Sequence, residues 1–276
     1  MSSTKDSWSA ERYNTNASFV YSSAYTSPTL ELLSAQPGER ILDLGCGSGD
    51  LTLSGLLPAV LPGGSIVGLD ASPDLLAKAR SNAAATSSHA DAAQASISWI
   101  ERDGHNLESL VGEAEKFDAV FSNAALHWMK RDPAQVVRGV YGLLKRGGRF
   151  VGEMGGAMNM IGVRSALHTV LAEHGVDAHV VDPWFFPTPV QYSAILRDAG
   201  FRVEYCELIP RPTPLPESGL AGWLDTFAFA FLDALPPTVD RQQVKADVCR
   251  RLAIDMKHGE QWTTMYVRLR FRARKE

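Results

Sequence analysis

The stretch LDLGCGSGDLT (42–52) decides the fold. An apolar run stops in Gly45, Gly47 and Gly49, and a helix-like segment opens at once, over about 50–60. This is a strand–turn–helix unit. A turn of bare backbone at the carboxyl end of a buried strand is where an open α/β sheet receives its ligands.

Working outward, ERILDLG (39–45) reads as the first strand. GSIVGLD (64–70), SISWIERD (96–103), FDAVFSN (117–123) and GRFVGEM (148–154) follow as four more. Each is short and continuously apolar, as strands buried on both faces are. Helical segments stand between them at 71–83, with Ser72 and Pro73 as start signals, and at 133–144. Such alternation predicts a parallel sheet covered by helices. TSSHADAAQ (86–94) reads as a polar surface loop.

Beyond Met154 the pattern changes. A helix over 160–174 precedes the aromatic segment DPWFFPTP (182–189), a helix over 190–199 and a strand at 201–209. PRPTPLP (210–216) reads as a hinge before helical stretches at 219–235 and 238–257. The alternation in TTMYVRLRFRARK (263–275) predicts an edge strand whose arginines face water.

Composition narrows the function. The 276 residues carry a net charge of −4, 45% hydrophobic and 21% charged residues, the profile of an ordinary globular chain. That balance provides no electrostatic footprint for nucleic acid or an anionic membrane, so neither is expected as a partner. No run approaches the roughly 18–20 apolar residues that cross a bilayer. The polar N-terminus MSSTKDSWSAERYN reads as neither signal nor transit peptide. Cys46, Cys206 and Cys249 are far apart and odd in number, which argues against a disulfide framework and for a reducing, cytoplasmic setting.

The ligand follows from the spacing. Asp70 ends the second strand, where a carboxylate can accept hydrogen bonds from both hydroxyls of a ribose. A dinucleotide fingerprint starting at Gly45 needs glycine at position 50, where Asp50 stands and repels a pyrophosphate. No Gly-Lys-Ser/Thr follows either. The loop suits a phosphate-free nucleoside carrying an amino-acid moiety, which is S-adenosyl-L-methionine.

At this point a resemblance emerges. LDLGCGSGD, GLDAS, ERDG, FDAVFSNAALHW and LLKRGGRFVGEM resemble, in order, the motifs of class I S-adenosylmethionine-dependent methyltransferases. The likeness runs from Tyr13 to the terminal strand. SNAALHW and the later PWFFP, RPTPLP and YVRLRF resemble a subfamily related to trans-aconitate methyltransferase. The resemblance implies a Rossmann-like, seven-stranded, mostly parallel sheet with helices on both faces and a helical lid. It divides a single domain into a cover segment (1–35), a cofactor-binding core (36–154), lid insertions (155–200 and 210–260) and a terminal edge strand (261–276).

It also implies roles. Gly45, Cys46, Gly47 and Gly49 bring backbone to the methionine part of the cofactor. Asp43 orients that loop or its ammonium group, or merely caps the turn. Asp70 holds the ribose, and Leu69 and Ala71 flank the purine. Asp103 accepts the adenine amino hydrogen, with the Gly104 backbone on the ring edge. Asn123 sits beside the sulfonium. Leu126, His127 and Trp128 form the lip of the acceptor pocket, Leu126 and Trp128 also touching cofactor. Tyr13, Asn16 and Phe19 cover the cofactor, or only staple the terminus.

Methyl transfer needs alignment and exclusion of water more than covalent chemistry. No metal is expected, because the seven histidines form no H-x-x-x-H pair and join no cysteine cluster. A base is needed only for an acceptor that must lose a proton, and His127 is the candidate. A carboxylate acceptor needs a cation instead, and Arg164 is the candidate. Trp184, Phe185 and Phe186 form an apolar wall or lid core. The expected acceptor is a small molecule methylated on oxygen, an organic-acid carboxylate or a secondary-metabolite hydroxyl. Transfer to nitrogen or carbon, and a non-catalytic cofactor-binding partner, are the alternatives. The expected assembly is a monomer or homodimer.

Overall fold

The computed structural model describes residues 23–86, 96–110 and 116–276. Tyr13, Asn16 and Phe19, and nearly all of the 86–94 loop, lie outside them. Seven strands build the sheet: β1 Arg40–Leu44, β2 Ser65–Asp70, β3 Ser96–Glu101, β4 Phe117–Asn123, β5 Leu144–Gly155, β6 Phe201–Pro214 and β7 Gln261–Lys275. Their order is β3-β2-β1-β4-β5-β7-β6. A two-residue strand, Lys257–His258, pairs with the start of β7 as an eighth. The first five strands run parallel, and β7 is antiparallel to both β5 and β6. Strand order reverses on either side of β1, so its carboxyl tip sits at the switch point where such sheets open a crevice.

Both faces are covered. Ile41, Ile66, Phe121 and Val151 point to the side packed by α1 (Ser23–Leu33) and by Leu56 and Val60 of the helix after the glycine turn. That helix begins with a π-helical turn, Thr52–Leu56, and ends as α2, Leu57–Val60. Leu42, Leu44, Val120, Phe150 and Phe271 point to the other side. This is the period-two alternation of a strand, with both sets apolar. α3 (Pro73–Thr86) follows β2. α4 (Pro133–Leu143) starts at Asp132, whose side chain accepts from the Gln135 amide.

The lid consists of α5 (Ile161–Glu173), α6 (Ala178–Val181), α8 (Gly219–Phe227), α9 (Phe229–Asp233) and α10 (Arg241–Met256). They share one apolar core containing Leu167, Trp184, Trp223, Phe231 and Val248, with Tyr266 at the start of β7. α7 (Pro189–Asp198), which the sequence reading places in the lid, packs against the sheet instead, through Tyr192 and Leu196.

Two further expectations are corrected. The tail is not an edge strand: β7 lies between β5 and β6, and β6 forms the edge. Its arginines face partners instead of water. Arg268 and Arg270 reach Glu153, Arg272 and Arg274 reach Glu204, and Arg272 also caps the Leu32 carbonyl of α1. The proline segment is not a hinge, because β6 runs through Pro210, Pro212 and Pro214. Two-residue spacing turns all three nitrogens toward the same open edge, where no ladder hydrogen bond is lost.

Candidate active site

The turn after β1 bonds almost entirely to itself and to β2. The Gly45 and Cys46 amides donate to the Leu69 carbonyl at 2.7 and 3.1 Å, and Gly49 donates to the Cys46 carbonyl at 3.0 Å. Gly47 donates to Asp70 Oδ2 at 2.9 Å, and Ser72 donates its amide to Asp70 Oδ1 at 2.9 Å. Four amides that a phosphate-binding loop aims at its anion are therefore occupied here. Gly45 (φ +77°) is bare for a second reason: a Cβ there would meet Ala125 Cβ at 2.2 Å.

Above this turn a cavity of about 400 Å³ opens at the tips of β1, β2 and β4. Asp43, Gly45, Cys46, Gly47, Asp70 and Ala71 line it together with Asp103, Gly104, Asn123 and Trp128. Asp43 is buried and accepts from Thr52 Oγ1 at 2.6 Å. Burial pushes its carboxyl up to about 7; the Thr52 hydrogen bond opposes this and the Asp70 charge adds to it. Burial also pushes the Cys46 thiol well above its ordinary range, so it behaves as a neutral wall.

Asp103 is more engaged than the sequence suggests. Its Oδ1 accepts from the His105 amide at 2.9 Å and faces His105 Nδ1 at 2.6 Å, while Oδ2 accepts from Arg131 at 3.0 Å. Burial raises its pKa, but these hydrogen bonds outweigh it and hold the carboxyl below its ordinary value. His105 and Arg131 also line the cavity and were missed, since neither belongs to a spaced motif.

Two expected contacts lie elsewhere. Gly49 does not line the cavity; its φ of +75° and bare Cα admit the Trp99 ring, which a Cβ would meet at 2.7 Å. Leu126 is buried in the core against β4 and α4 and lines neither cavity.

A second cavity, about 40 Å³, shares Asn123, Ala124 and Trp128 with the first. Ala124 holds φ +58°, a strained position at the junction of the two. Trp184, Phe186, Trp223, Phe227 and Tyr266 supply aromatic walls, and His127, Glu153, Arg211 and Arg268 the charged or polar groups. Phe185 packs instead against the core beside the sheet.

His127 is buried, and burial together with the Arg268 charge pushes its pKa well below the ordinary range, so the ring is neutral. Gly155 donates its amide hydrogen to His127 Nδ1 at 3.4 Å, which places the ring proton on Nε2. In that tautomer Nε2 donates, and the lone pair, on Nδ1, faces the Gly155 amide. Arg164 lines neither cavity. Its Nε donates to the buried Asp182 at 2.6 Å, beside His168 on the same oxygen, and its guanidinium lies 5.4 Å from the Phe186 ring. Arg211, Arg268 and Glu153 line the second cavity, while Arg164 is paired with the lid carboxylate. Glu153 was legible only as a strand end, and the two arginines were hidden in segments read as hinge and edge.

A parallel Rossmann-like sheet with an antiparallel seventh strand inserted before the sixth, and a cavity over the first strand's tip, is the architecture of the methyltransferase class. Residues 42–150 match the family described as "Methyltransferase domain". An uncharacterized methyltransferase of Schizosaccharomyces pombe, C70.08c, is 36% identical over 280 residues, 99% of each chain. Trans-aconitate 2-methyltransferase of Escherichia coli is 31% identical over 120 residues, 42% of this chain and 41% of its own. The chain belongs to the methyltransferase family. A Bacillus halodurans structure provisionally classed as a methyltransferase superposes with a TM-score of 0.62 at 17% identity, covering 91% of this chain and 99% of its own. A Haemonchus contortus phosphoethanolamine N-methyltransferase, solved with S-adenosylhomocysteine, gives 0.55 at 17% identity over 96% of this chain and 56% of its own. Among the described residues no helix is long and apolar enough to cross a membrane.

Proposed function

We propose that the chain binds S-adenosylmethionine in the larger cavity and methylates an oxygen of a small molecule held in the smaller one. The observation that carries this reading is the junction at Asn123, Ala124 and Trp128, where a nucleoside-sized cavity meets an aromatic one. The residues fit the cofactor. Support comes from Asp70 at the β2 tip as the ribose partner, from Asp43 beside bare backbone, and from the bonding of the Gly45, Cys46, Gly47 and Gly49 amides within the protein and not toward a phosphate. When bound, S-adenosylmethionine supplies an electrophilic methyl group on a sulfonium.

The chain's own part is alignment and exclusion of water. Trp128 spans both cavities and stacks on Phe229, with ring centroids 6.2 Å apart. The lid aromatics close the acceptor side. A carboxylate oxygen is the favoured acceptor and a hydroxyl the second. A carboxylate needs no base, and the neutral His127 is committed as a donor. Arginines beside the acceptor suit an anion, and the proposed cation is no longer Arg164. A screen of organic acids and phenols with isotopically labelled cofactor, read by product mass, tests the reading. It expects methyl esters of acids. A screen yielding only N- or C-methylated products overturns the oxygen assignment.

A further inference from the structure

The smaller cavity carries a charge imbalance that the fold itself leaves open. Glu153, whose side chain is 2% exposed, is its one carboxylate among the described residues, facing Arg268 and Arg211 from inside. Glu153 is already crowded. Its Oε2 accepts from Arg270 Nε at 3.0 Å, Arg270 Nη2 at 2.7 Å and Thr29 Oγ1 at 3.2 Å. Its Oε1 accepts from Arg268 Nε at 3.2 Å and from Arg211 Nη1 at 3.4 Å, the longest of the set. Burial raises the Glu153 pKa but the arginines outweigh it, so this carboxylate stays ionised. Two cavity cations thus share one anion with a third arginine outside.

Arg211 is the least satisfied of them. Its Nε is buried and has no hydrogen-bond partner among the described residues. Its guanidinium rests 4.0 Å from the Tyr25 ring and 5.9 Å from the Tyr266 ring, contacts that hold its plane without using its N–H groups. Burial, and then the Arg268 charge, lower its pKa, as expected of a cation short of counter-charge. A buried donor left unpaired is costly, and a planar carboxylate satisfies a guanidinium through two parallel hydrogen bonds. The cavity walls are flat. Trp184 and Phe186 stack 5.6 Å apart at 13°, with Trp223 and Phe227 beside them.

We infer that Arg211 selects the acceptor, docking the carboxylate of a small acid with a flat aromatic or unsaturated body, with Glu153 as the positioning residue that aims it. The inference rests on the methyltransferase reading and names its substrate class. Among the described residues Arg211, Arg268 and Arg270 share the single carboxylate of Glu153, so the cluster has positive charge to spare for an acid. Arg164, tied to Asp182, has no part in it.

The test is binding without cofactor. The full chain is titrated with benzoate, its neutral isostere benzamide and the non-planar cyclohexanecarboxylate, monitored by NMR. Benzoate binds at least tenfold tighter than benzamide and several-fold tighter than cyclohexanecarboxylate. Arg211→Gln weakens benzoate at least tenfold and leaves benzamide within twofold. Arg211→Lys, which keeps the charge and loses the bidentate fork, is several-fold weaker than wild type, and Arg164→Gln stays within twofold. Benzoate and benzamide binding alike, neither binding, either Arg211 variant retaining full benzoate affinity, or loss on Arg164→Gln overturns the inference. S-adenosylhomocysteine titrated into the same wild-type sample reads the methyltransferase reading separately. Cofactor binding with no acid selectivity sinks only the Arg211 assignment.

Discussion

The Gly47 amide and the Asp70 carboxylate are joined by a 2.9 Å hydrogen bond that ties the glycine turn after β1 to the tip of β2. One carboxylate thus shapes the loop and faces the cavity the loop encloses. Its second oxygen fixes the start of the next helix through Ser72.

Asp70→Asn retains the shape and removes the charge. Hydrogen bonds to charged groups contribute roughly 1.5–3 kcal/mol each, so affinity for S-adenosylhomocysteine falls on the order of 10- to 100-fold. Isothermal titration checks this. Unchanged affinity removes Asp70 from the ribose.

Asp43 makes the site sensitive to pH. Its folded carboxyl titrates at about 7 against an ordinary 3.8. Between those values the folded chain holds a proton that the unfolded chain has lost. The group's contribution to stability is therefore complete below pH 4 and disappears as pH rises through 7. The change is on the order of a few kcal/mol over that window. Asp43→Asn removes it, so thermal melts of variant and wild type converge at low pH and separate in the variant's favour toward pH 8. Affinity for the cationic cofactor rises over the same range in wild type and stays flat in the variant. Parallel pH profiles contradict the assignment.

Gly49 supports the fold through its close approach to Trp99. Alanine there adopts a left-handed backbone and presses a methyl group on Trp99. Strain and overpacking together cost about 2–4 kcal/mol. Denaturant unfolding of Gly49→Ala shows the loss; stability within about 0.5 kcal/mol of wild type denies the contact.

How far the sequence could be read follows from the range of the interactions. β1 to β5 and the residues lining the larger cavity were legible because strand, turn and strand tip are local. The loop spacing and Asp70 lie within one strand–helix–strand unit. Arg211 and Arg268 escaped because their role comes from pairing across β5, β7 and β6, far apart in the chain. The same alternation that suits a solvated edge suits a strand whose arginines meet Glu153 and Glu204. The pairing of Arg164 with Asp182 was not legible, because the two stand 18 residues apart across a loop.

In the proposed reaction His127 is a donor and a wall, not a base. Its ring lies 5.8 Å from Phe186 and 5.4 Å from Trp128. His127→Gln, which retains a donor, keeps turnover on a carboxylate acceptor within about tenfold, less than the usual 10²- to 10⁴-fold effect of losing a general base. The pH–rate profile of the variant matches that of wild type. A loss of 10³-fold or more, with the basic limb of the profile gone, restores His127 as a base.

Calorimetric titration of the full chain with S-adenosylhomocysteine, and in parallel with NAD and ADP, tests the central claim most directly. The account predicts one S-adenosylhomocysteine bound per chain and no saturable heat from either phosphate-bearing nucleotide. Tight binding of NAD or ADP, or silence with S-adenosylhomocysteine, contradicts it.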